Sequence, residues 1–328
     1  MNKKGWQDLY PRDALQKKTT SFIFIAFLVF TFNNLFSQQS TYQFLNLDMS
    51  ARAASLAGSF VANNDDPDVI FYNPAGLELL DKSPVSFSFV KHLLDINLAS
   101  LSYSTVINNI GRFGGAIQYI NYGTFTQADE FGNKTGEYSA GEFALTLGYA
   151  NLLDNNFAYG VNVKLIYSKI ADRSSSAAAF DVGLHYSIPS NLTDIGFSIL
   201  NVGTQMSTYY STKENLPLDI VVGISKRMEH VPLRLSLDFH NLNEQQDSFF
   251  QRFKAFSLGA EFYLSRVLNL RFGYNNQMRN DLTIGQSAGL AGFDVGFGAN
   301  VSNYRFDYGF SSLGMVGGIH RISVSTNL

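Results

Sequence analysis

Apolar and polar residues alternate with a period of two along most of the chain that follows Pro84. In one such segment, Tyr159, Val161 and Val163 alternate with Gly160 and Asn162. Alternation of this kind places the apolar side chains on one face of a β-strand and the polar side chains on the other. The pattern predicts about fourteen strands, at residues 84–90, 97–106, 111–121, 140–150, 156–170, 177–187, 194–201, 217–227, 231–240, 253–263, 266–275, 286–298, 302–310 and 317–326.

The lengths of the strands and of the gaps between them indicate a membrane barrel. Many strands have about ten residues, which suits a tilted membrane crossing of roughly 9–11 residues, whereas strands of soluble proteins are commonly about five or six residues long. Gaps after even-numbered strands are short, and most gaps after odd-numbered strands are longer and polar. Short turns at one end and long loops at the other are typical of outer-membrane barrels, with the short turns in the periplasm. The long gaps are Tyr122–Ser139, Ala171–Ser176, Val202–Leu216, Asn241–Arg252 and Asn276–Gly285.

We therefore predict an all-β fold, an antiparallel transmembrane β-barrel of about 14 strands formed by residues 84–328. The apolar face of each strand is expected to contact lipid, because a charge near the bilayer midplane on that face costs about 2–4 kcal/mol for Arg or Lys. The charged residues on the opposite face are expected to line the lumen. They are Glu142, Lys164, Asp181, Asp219, Arg234, Asp238, Glu261, Arg271, Asp294, Arg305 and Asp307.

Residues 42–80 are the long segment that reads as helix and loop. Met49, Ala53, Leu56 and Phe60 are spaced as one face of a helix. Residues 63–68 are polar and break this helix, and Asn73 is a candidate N-cap for a second short helix with Pro74 in its first turn. A barrel of fourteen strands encloses more space than its own side chains fill. We therefore predict that residues 38–83 form an N-terminal helical plug in the lumen.

Charged residues of the predicted plug are candidates for contacts with the barrel wall. Arg52, Asp65, Asp66 and Asp68 are the expected tethers. The three aspartates lack the spacing and the closing Glu of an EF-hand, so partners for lumen arginines are favoured over calcium ligands. The segment contains two short motifs that characterise it, formed by Ser50, Ala51, Arg52, Ala53, Asn73, Pro74, Ala75 and Gly76.

Composition limits the chemistry that the chain can perform. The 328 residues include no cysteine and five histidines, and 16% are charged. No disulfide, thiolate metal site or cysteine nucleophile is therefore possible, and the histidines show no metal-ligand spacing. No nucleophile, phosphate-binding or paired-carboxylate motif is present. We expect a protein that is not an enzyme and that has no cofactor, although a catalytic site assembled from distant strands, as in outer-membrane phospholipases, stays an open alternative.

The first 37 residues have the pattern of a secretory signal peptide. Lys17 and Lys18 precede an apolar stretch from Ser21 to Phe32, and polar residues follow. A dozen apolar residues are too few to span a bilayer as a helix. Cleavage after Ser37 would change the count of basic and acidic residues from 24 and 27 to 19 and 25, a net charge of −6. The composition thus predicts an exported protein that meets outer-membrane lipid and offers no basic patch for nucleic acid.

The segment YQFLNLDMSARAASLAGS, with the acidic loop and FYNPAGLELL that follow it, resembles the PorV/PorQ family of the type IX secretion system of Bacteroidota. The YQFL opening and the following SPVSFSFVKHLLDINLASLSYS are closer to the PorQ members. The resemblance covers residues 38–328 and is most specific in residues 42–104. The Asn73-Pro74-Ala75 element is also similar to the FadL fatty-acid transporters, which have a fourteen-stranded barrel with an N-terminal hatch. The C-terminal Leu328 departs from the terminal aromatic residue common in such barrels.

The resemblance implies a FadL-like fold with a non-enzymatic role in protein secretion. Family members anchor the surface attachment complex, in which PorZ-like, PorU and PorV-like proteins process secreted cargo and join it to anionic lipopolysaccharide. The loops at 122–139, 202–216 and 241–252 would then be the docking surface. The alternative is a FadL-like transporter of hydrophobic compounds. Because the predicted lumen residues are mostly charged, we expect a blocked lumen, which favours the anchoring role.

Overall fold

The computed structural model describes residues 40–244, 249–283 and 287–328. The predicted signal peptide at residues 1–37 lies outside these residues. All the elements that the model describes belong to one compact unit. The strands β1 to β14 are Pro84–Lys91, Asn97–Ile107, Gly111–Ala128, Lys134–Asp154, Phe157–Ile170, Arg173–Ile188, Thr193–Ser207, Asp219–Arg227, Leu233–Phe239, Phe256–Tyr263, Leu268–Asn275, Phe293–Val301, Tyr304–Ser312 and Gly318–Asn327.

These fourteen strands form one closed antiparallel barrel, in which each strand pairs with its sequence neighbours and β1 pairs with β14. The register of the closing pair runs from Pro84 opposite Asn327 to Lys91 opposite His320. Closure satisfies the backbone hydrogen bonds of every strand without leaving a sheet edge in the membrane. The predicted fold class, an antiparallel β-barrel of fourteen strands, is confirmed.

The faces of the strands are distributed as expected for a barrel surrounded by lipid. Phe87, Leu101, Leu147 and Val163 are 46 to 59% exposed, although they are large apolar residues. Polar side chains on the opposite face are buried. In the sequence of β5 this produces strict alternation of exposed apolar and buried residues from Ala158 to Tyr167. Contact of apolar side chains with lipid therefore stabilises the outer face of the barrel, and hydrogen bonds and ion pairs stabilise its interior.

The connections define two ends of the barrel. At the short-turn end the connections have two to five residues, at 108–110, 155–156, 189–192, 228–232, 264–267 and 302–303. At the loop end they lie at 92–96, 129–133, 171–172, 208–218, 240–255, 276–292 and 313–317. Three of the five predicted long connections are therefore present at the end predicted, and the connections between β3 and β4 and between β5 and β6 are exceptions.

The gap predicted at 122–139 is not a long loop. β3 continues to Ala128 and β4 begins at Lys134, so that residues 129–133 alone connect them. Likewise, β6 begins at Arg173, which reduces the predicted gap at 171–176 to two residues. The prediction was wrong for β3 and β4 because residues 124–128 and 134–137 are exposed on both faces and so show no apolar alternation, and for β6 because residues 173–176 are all polar. The other three loops are confirmed with shifted bounds.

Residues 42–80 run through the inside of the barrel and contact strands all around its wall. We call them the inner segment. Its one α-helix, α1, is Ala51–Ser55, and it is shorter than the predicted face from Met49 to Phe60. The other helical pieces are 3₁₀ turns at Gln43–Asn46, Pro67–Phe71 and Pro74–Leu79. Elsewhere the described residues form α2, Asn276–Asp281, and 3₁₀ turns at Pro189–Asn191, Phe249–Lys254 and Gly314–Val316.

None of the helices in the described ranges has the length and apolar character needed to cross a membrane.

Candidate functional site

The helix α1 brings Arg52 to the wall of the barrel. Ser50 is its N-cap, and the Ser50 hydroxyl accepts a hydrogen bond from the Ala53 N–H over 3.4 Å. The helix ends because Ala57 and Gly58 have φ angles of 58° and 75°, a left-handed conformation that terminates helices. Ala51 and Ala53 are completely buried. Their small side chains allow the helix to approach the strands closely.

Two capped 3₁₀ turns carry the rest of the inner segment. Asp66 accepts a hydrogen bond from the Asp68 N–H over 3.0 Å, ahead of Pro67 in the first position of the turn. Asn73 accepts one from the Ala75 N–H over 3.1 Å, ahead of Pro74. In both places proline occupies a position in which a backbone N–H has no partner. The predicted cap at Asn73 is present, whereas Pro67 begins a turn instead of simply breaking a helix.

Arg52 is the centre of a buried ion-pair network. Its Nε and Nη2 donate to the two carboxylate oxygens of Glu261 in β10, over 3.0 and 2.6 Å. Its Nη1 lies 2.8 Å from Asp65 Oδ1 and 3.4 Å from Asp66 Oδ2. Arg52 is 2% exposed. The guanidinium therefore joins the acidic loop of the inner segment to the barrel wall through bidentate, charge-assisted bonds.

Arginines of the wall complete the network from the other side. Arg234 in β9 donates to both carboxylate oxygens of Asp65, over 2.9 and 3.0 Å. Arg305 in β13 lies 3.4 Å from Asp66 and 2.8 Å from Asp307. Arg271 in β11 bridges Glu261 and Asp307, with both distances at 2.7 Å. We call the whole set the ion-pair belt: Arg52, Asp65, Asp66, Arg234, Glu261, Arg271, Arg305 and Asp307.

The ion-pair belt contains four arginines and four carboxylates, and its partners stabilise one another's charged forms. Burial opposes the charge on Arg52, but Asp65, Glu261 and Asp66 outweigh it and raise the pKa of Arg52 well above its usual value. Burial likewise opposes the charge on Asp65, and the nearby Arg234 and Arg52 nevertheless lower the pKa of Asp65 well below its usual range. Both groups of the inner segment are therefore ionised.

Asp68, the fourth predicted tether, contacts hydroxyl groups and no arginine. It accepts hydrogen bonds from Ser86 Oγ in β1 over 3.0 Å and from Ser102 Oγ in β2 over 2.7 Å. Burial and the adjacent charge of Asp66 raise the pKa of Asp68 to about 7, against the smaller lowering effect of the serines. Asp68 thus attaches the inner segment to the first two strands by neutral donors.

A second group of contacts lies around Asn73. Asn73 is completely buried, and its amide donates to the carbonyl oxygens of Val61 and of Leu184 in β6, over 2.8 and 3.0 Å. Nearby, Asp238 in β9 accepts bonds from the Phe60 and Val61 N–H groups over 2.7 and 2.8 Å. The inner segment is therefore hydrogen-bonded to β6 through the Asn73 side chain and to β9 through two backbone N–H groups.

The remaining lumen charges predicted from sequence are also buried or half-buried on the inner face. Lys164 lies 2.9 Å from Asp181 and donates to Asn201 over 2.7 Å. Glu142 accepts a bond from the Tyr122 hydroxyl over 2.5 Å. Asp219 lies 3.6 Å from His240 Nδ1, and Asp294 is buried.

Two lumen arginines were missed by the sequence analysis. Arg112 donates to the carbonyl oxygens of Leu80 and Lys82, the latter over 2.6 Å. Arg321 donates to the Asp48 carbonyl over 2.8 Å. The same period-two alternation places both on the inward face of β3 and β14. They hold the two ends of the inner segment.

The wall receives the inner segment at glycines. A Cβ on Gly160 in β5 would lie 2.4 Å from the Pro74 carbonyl carbon, and a Cβ on Gly183 in β6 would lie 2.0 Å from Asn73 Oδ1. A Cβ on Gly273 in β11 would lie 2.5 Å from the Ala57 nitrogen. At Gly160 and Gly273 the backbone of the segment lies against the backbone of the strand, and at Gly183 the Asn73 side chain does, without space for another side chain between them.

Among the cavities beside the inner segment, three have walls that include many polar groups. At the short-turn end, cavities of about 370 and 450 Å³ are lined in part by Asp65 and Arg305. Toward the loop end, a cavity of about 180 Å³ is lined in part by Asp48, Asp219 and His240. None of these three is a purely apolar pocket of the kind that a hydrophobic ligand requires. Over the described residues, no group of three or more His, Asp or Glu residues is arranged to hold a metal ion.

The loop end exposes large apolar side chains on most of its connections. Six of them are 68 to 87% exposed, whereas the short-turn end has two in the same range, Leu153 and Leu328. The six are Leu94, Phe131, Tyr210, Phe250, Leu290 and Met315.

Comparison with solved structures finds barrels of the same fold. The structure is similar to the Ralstonia pickettii toluene transporter TbuX, with a TM-score of 0.58 and 12% identity over 85% of this chain and 98% of that chain. It is also similar to the P. putida toluene transporter TodX, with a TM-score of 0.55, 12% identity, and coverage of 86% and 99%. A Pseudomonas aeruginosa FadL homologue aligns with a TM-score of 0.50, 10% identity, and coverage of 86% and 99%.

No family model matches the chain, and no curated protein matches its sequence. The structural similarities therefore support a FadL-like outer-membrane barrel, as the sequence predicts, and at this level of identity they show the fold alone. They provide no support for membership in the PorV/PorQ family.

Proposed function

We propose that this protein is an outer-membrane barrel with a closed lumen that anchors proteins at the cell surface and takes no part in catalysis. The observation that supports this most directly is the ion-pair belt. Arg52 and Asp66 of the inner segment are joined to β10 and β13 by buried ion pairs, and Asp65, whose side chain is 43% exposed, is joined to Arg234 of β9.

Opening the lumen by moving the inner segment away from the wall would separate buried charges of the ion-pair belt from their partners. Removing one member of a buried ion pair destabilises a protein by about 3–5 kcal/mol, and the inner segment has several such pairs. A transported hydrophobic molecule would find no compensating apolar surface in the belt. The energetics therefore favour an inner segment that closes the barrel permanently.

The outer surface is suited to contacts with proteins. Six large apolar side chains are exposed on the connections of the loop end, and the β3–β4 hairpin extends beyond the neighbouring strands. Short turns of such barrels face the periplasm, so we assign the loop end to the cell surface. Export through a cleaved signal peptide would bring the chain to this membrane.

The specific assignment to the type IX secretion system rests on the sequence resemblance of residues 42–104. In that assignment the protein is PorQ-like, and it holds a PorZ-like surface protein beside PorU and PorV-like components. The paired charges of the lumen agree with an anchor that conducts nothing.

The second candidate is transport of hydrophobic compounds. The fold comparisons favour it, because the similar structures include two toluene transporters and a channel described as a "monoaromatic hydrocarbon channel". This function requires a route for an apolar molecule through or beside the inner segment.

Measurements on the reconstituted protein separate the two candidates. We expect no single-channel conductance in planar bilayers and no uptake of labelled toluene or fatty acid into vesicles above that of protein-free vesicles. Clear uptake would overturn the anchoring proposal and support transport.

Deletions at the loop end test the anchoring role itself. Proteins retained by the full chain from detergent-solubilised outer membrane would be identified and compared with those retained after removal of residues 125–138 or 241–252. We expect a specific surface protein to be lost with the barrel still folded. Its retention by both deletion variants would show that docking takes place elsewhere.

A further inference from the structure

The β3–β4 hairpin continues beyond the barrel with two unpaired edges. β3 pairs with β2 as far as Asn121, and β4 pairs with β5 as far as Ala140. From Thr124 to Ala128 and from Lys134 to Ser139, the two strands pair with each other. The seven residues of β3 after Asn121 correspond to roughly 20–25 Å of extended chain.

The hydrogen-bond pattern shows which groups face outward. The Ser139 carbonyl accepts a bond from the Ala171 N–H on the β5 side, so Ser139 faces away from β3. Ser139 lies opposite Thr124. The two residues therefore form a non-hydrogen-bonded pair, and the backbone N–H and C=O groups of Thr124 also face away from the hairpin. Successive residues alternate in an antiparallel ladder. Thr126 on β3 and Glu137 on β4 therefore direct their N–H and C=O groups to the two open edges.

The two edges differ in the devices that normally prevent strand pairing. Exposed edges are usually protected by charged residues, proline or bulges. The β4 edge carries Lys134 and Glu137. The β3 edge, Thr124-Phe125-Thr126-Gln127-Ala128, has no charged residue, no proline and no glycine; register shifts of the hairpin lie at its two ends, between Asn121 and Thr124 and between Gln127 and Ala128. Thr and Phe favour the extended conformation.

Side chains beside the β3 edge indicate what an added strand would contact. Phe125 and Tyr138 stack with ring centroids 5.3 Å apart and an angle of 22° between their planes. They form an apolar surface on one face of the hairpin. The connection and its flank carry Asp129, Glu130 and Glu137 against Lys134. The local charge is therefore negative.

We propose that the β3 edge from Thr124 to Ala128 binds an extended segment of a surface protein by strand addition. The segment would be rich in β-branched residues, which pack on Phe125, and flanked by a basic residue, which pairs with the acidic tip. Main-chain groups of Thr124 and Thr126 would supply the hydrogen bonds, as in other complexes formed by strand addition. This inference rests on the proposed docking role of the loop end.

The experiment uses the full chain in detergent micelles and a synthetic peptide, Lys-Thr-Val-Thr-Val-Thr-Lys, as the probe. We expect the peptide to slow hydrogen exchange at the Thr124 and Thr126 amides, and a Glu-flanked analogue to bind more weakly. Unchanged exchange at both amides in the presence of saturating peptide would overturn the proposal.

Proline substitutions locate the edge. Thr126→Pro removes an outward N–H that forms no bond within the hairpin, so it is expected to weaken peptide binding about tenfold. Glu137→Pro makes the same change on the opposite edge and is compared with Glu137→Gln, which has the same charge. Binding by Glu137→Pro should equal that of Glu137→Gln. Equal loss from both proline variants, or loss from Glu137→Pro alone, would overturn the assignment.

Two further measurements separate loss of peptide binding from loss of the hairpin, and strand addition from closure of the lumen. Protection of the Phe125 and Gln127 amides, which face β4, reports that the hairpin of each variant is still paired. The conductance and uptake measurements decide separately whether the lumen is closed. A conducting barrel whose hairpin binds the peptide would overturn the proposed function and leave the strand addition standing.

Discussion

Arg52 in the inner segment and Glu261 in β10 form a bidentate ion pair inside the barrel, with Nη2–Oε2 and Nε–Oε1 distances of 2.6 and 3.0 Å. The two residues are separated by 209 positions in the chain. Both are almost completely buried, at 2% and 1% exposure. A single guanidinium therefore connects the N-terminal part of the chain to the wall that folds around it.

Loss of Arg52 should destabilise the barrel and open it. Arg52→Gln removes the cation that Glu261 and Asp66 share and leaves them Arg271 and Arg305 as partners. We therefore expect the free energy of unfolding to fall by about 3 kcal/mol, the lower end of the cost of breaking a buried ion pair. Guanidinium-induced unfolding in detergent micelles measures this change. The same variant should give channel conductance in planar bilayers.

The control for this prediction is Arg227→Gln, which changes an exposed arginine at the end of β8. This variant should unfold at the same denaturant concentration as the parent protein and should conduct no ions. If Arg52→Gln were as stable and as closed as Arg227→Gln, the ion-pair belt would not be what holds the inner segment.

The close contact at Gly160 should make that position intolerant of alanine. A methyl group there would meet the Pro74 carbonyl carbon at 2.4 Å and the Ala75 nitrogen at 2.5 Å. Backbone atoms cannot move aside as a flexible side chain does. We expect Gly160→Ala to lower the free energy of unfolding by about 1–3 kcal/mol, the usual cost of overpacking.

Gly115 offers a matched control in β3. A Cβ at this position would meet Leu147 Cδ2 at 3.9 Å, an ordinary contact on the outer face. Gly115→Ala should therefore leave the midpoint of denaturant unfolding unchanged. A similar loss in both variants would attribute the effect to strand glycines in general and not to the inner segment.

Asn73 should be another position at which the segment depends on side-chain hydrogen bonds. Asn73→Ala removes two donations to backbone carbonyls and the acceptance from the Ala75 N–H. Leaving buried backbone groups unsatisfied costs about 1–3 kcal/mol. Denaturant unfolding should show a loss of this size, and Asn156→Ala, at an exposed asparagine in a short turn, should show none.

The barrel could be predicted from sequence because its two faces lie in different environments. Lipid outside and polar contacts inside impose alternation on every strand, as in Val161, Asn162 and Val163. The same rule fails for residues 124–128 and 134–139. These stand beyond the membrane and bury neither face, so their sequence carries no alternation and reads as loop.

The site was partly predictable for a related reason. Period-two alternation indicates that Arg234 and Arg271 point inward, and helix signals indicate the cap at Asn73. The pairing of Arg52 with Glu261 depends on how the segment enters the barrel, which no local pattern records. The helix around Arg52 is shorter than the apolar spacing predicts because Ala57 and Gly58 turn the chain toward the wall at Gly273.

The last prediction concerns pH and Asp68. Burial and the charge of Asp66 raise the pKa of Asp68 from 3.8 to about 7 in the folded protein. Between these two values the folded state binds the proton that the unfolded state has released. The contribution of Asp68 to the free energy of unfolding therefore falls as the pH rises through this window, and it levels off above about pH 7.

Asp68→Asn removes the titrating group and keeps an oxygen that accepts from Ser86 or Ser102. The free energy of unfolding of this variant, relative to the parent, should accordingly increase from pH 4 to pH 8 in denaturant titrations at constant ionic strength. Asp172→Asn, at a side chain that is 85% exposed, should show no such trend. A constant difference between Asp68→Asn and the parent across the range would mean that Asp68 is already ionised in the fold at acidic pH. Its two serine donors, and not burial, would then dominate its environment.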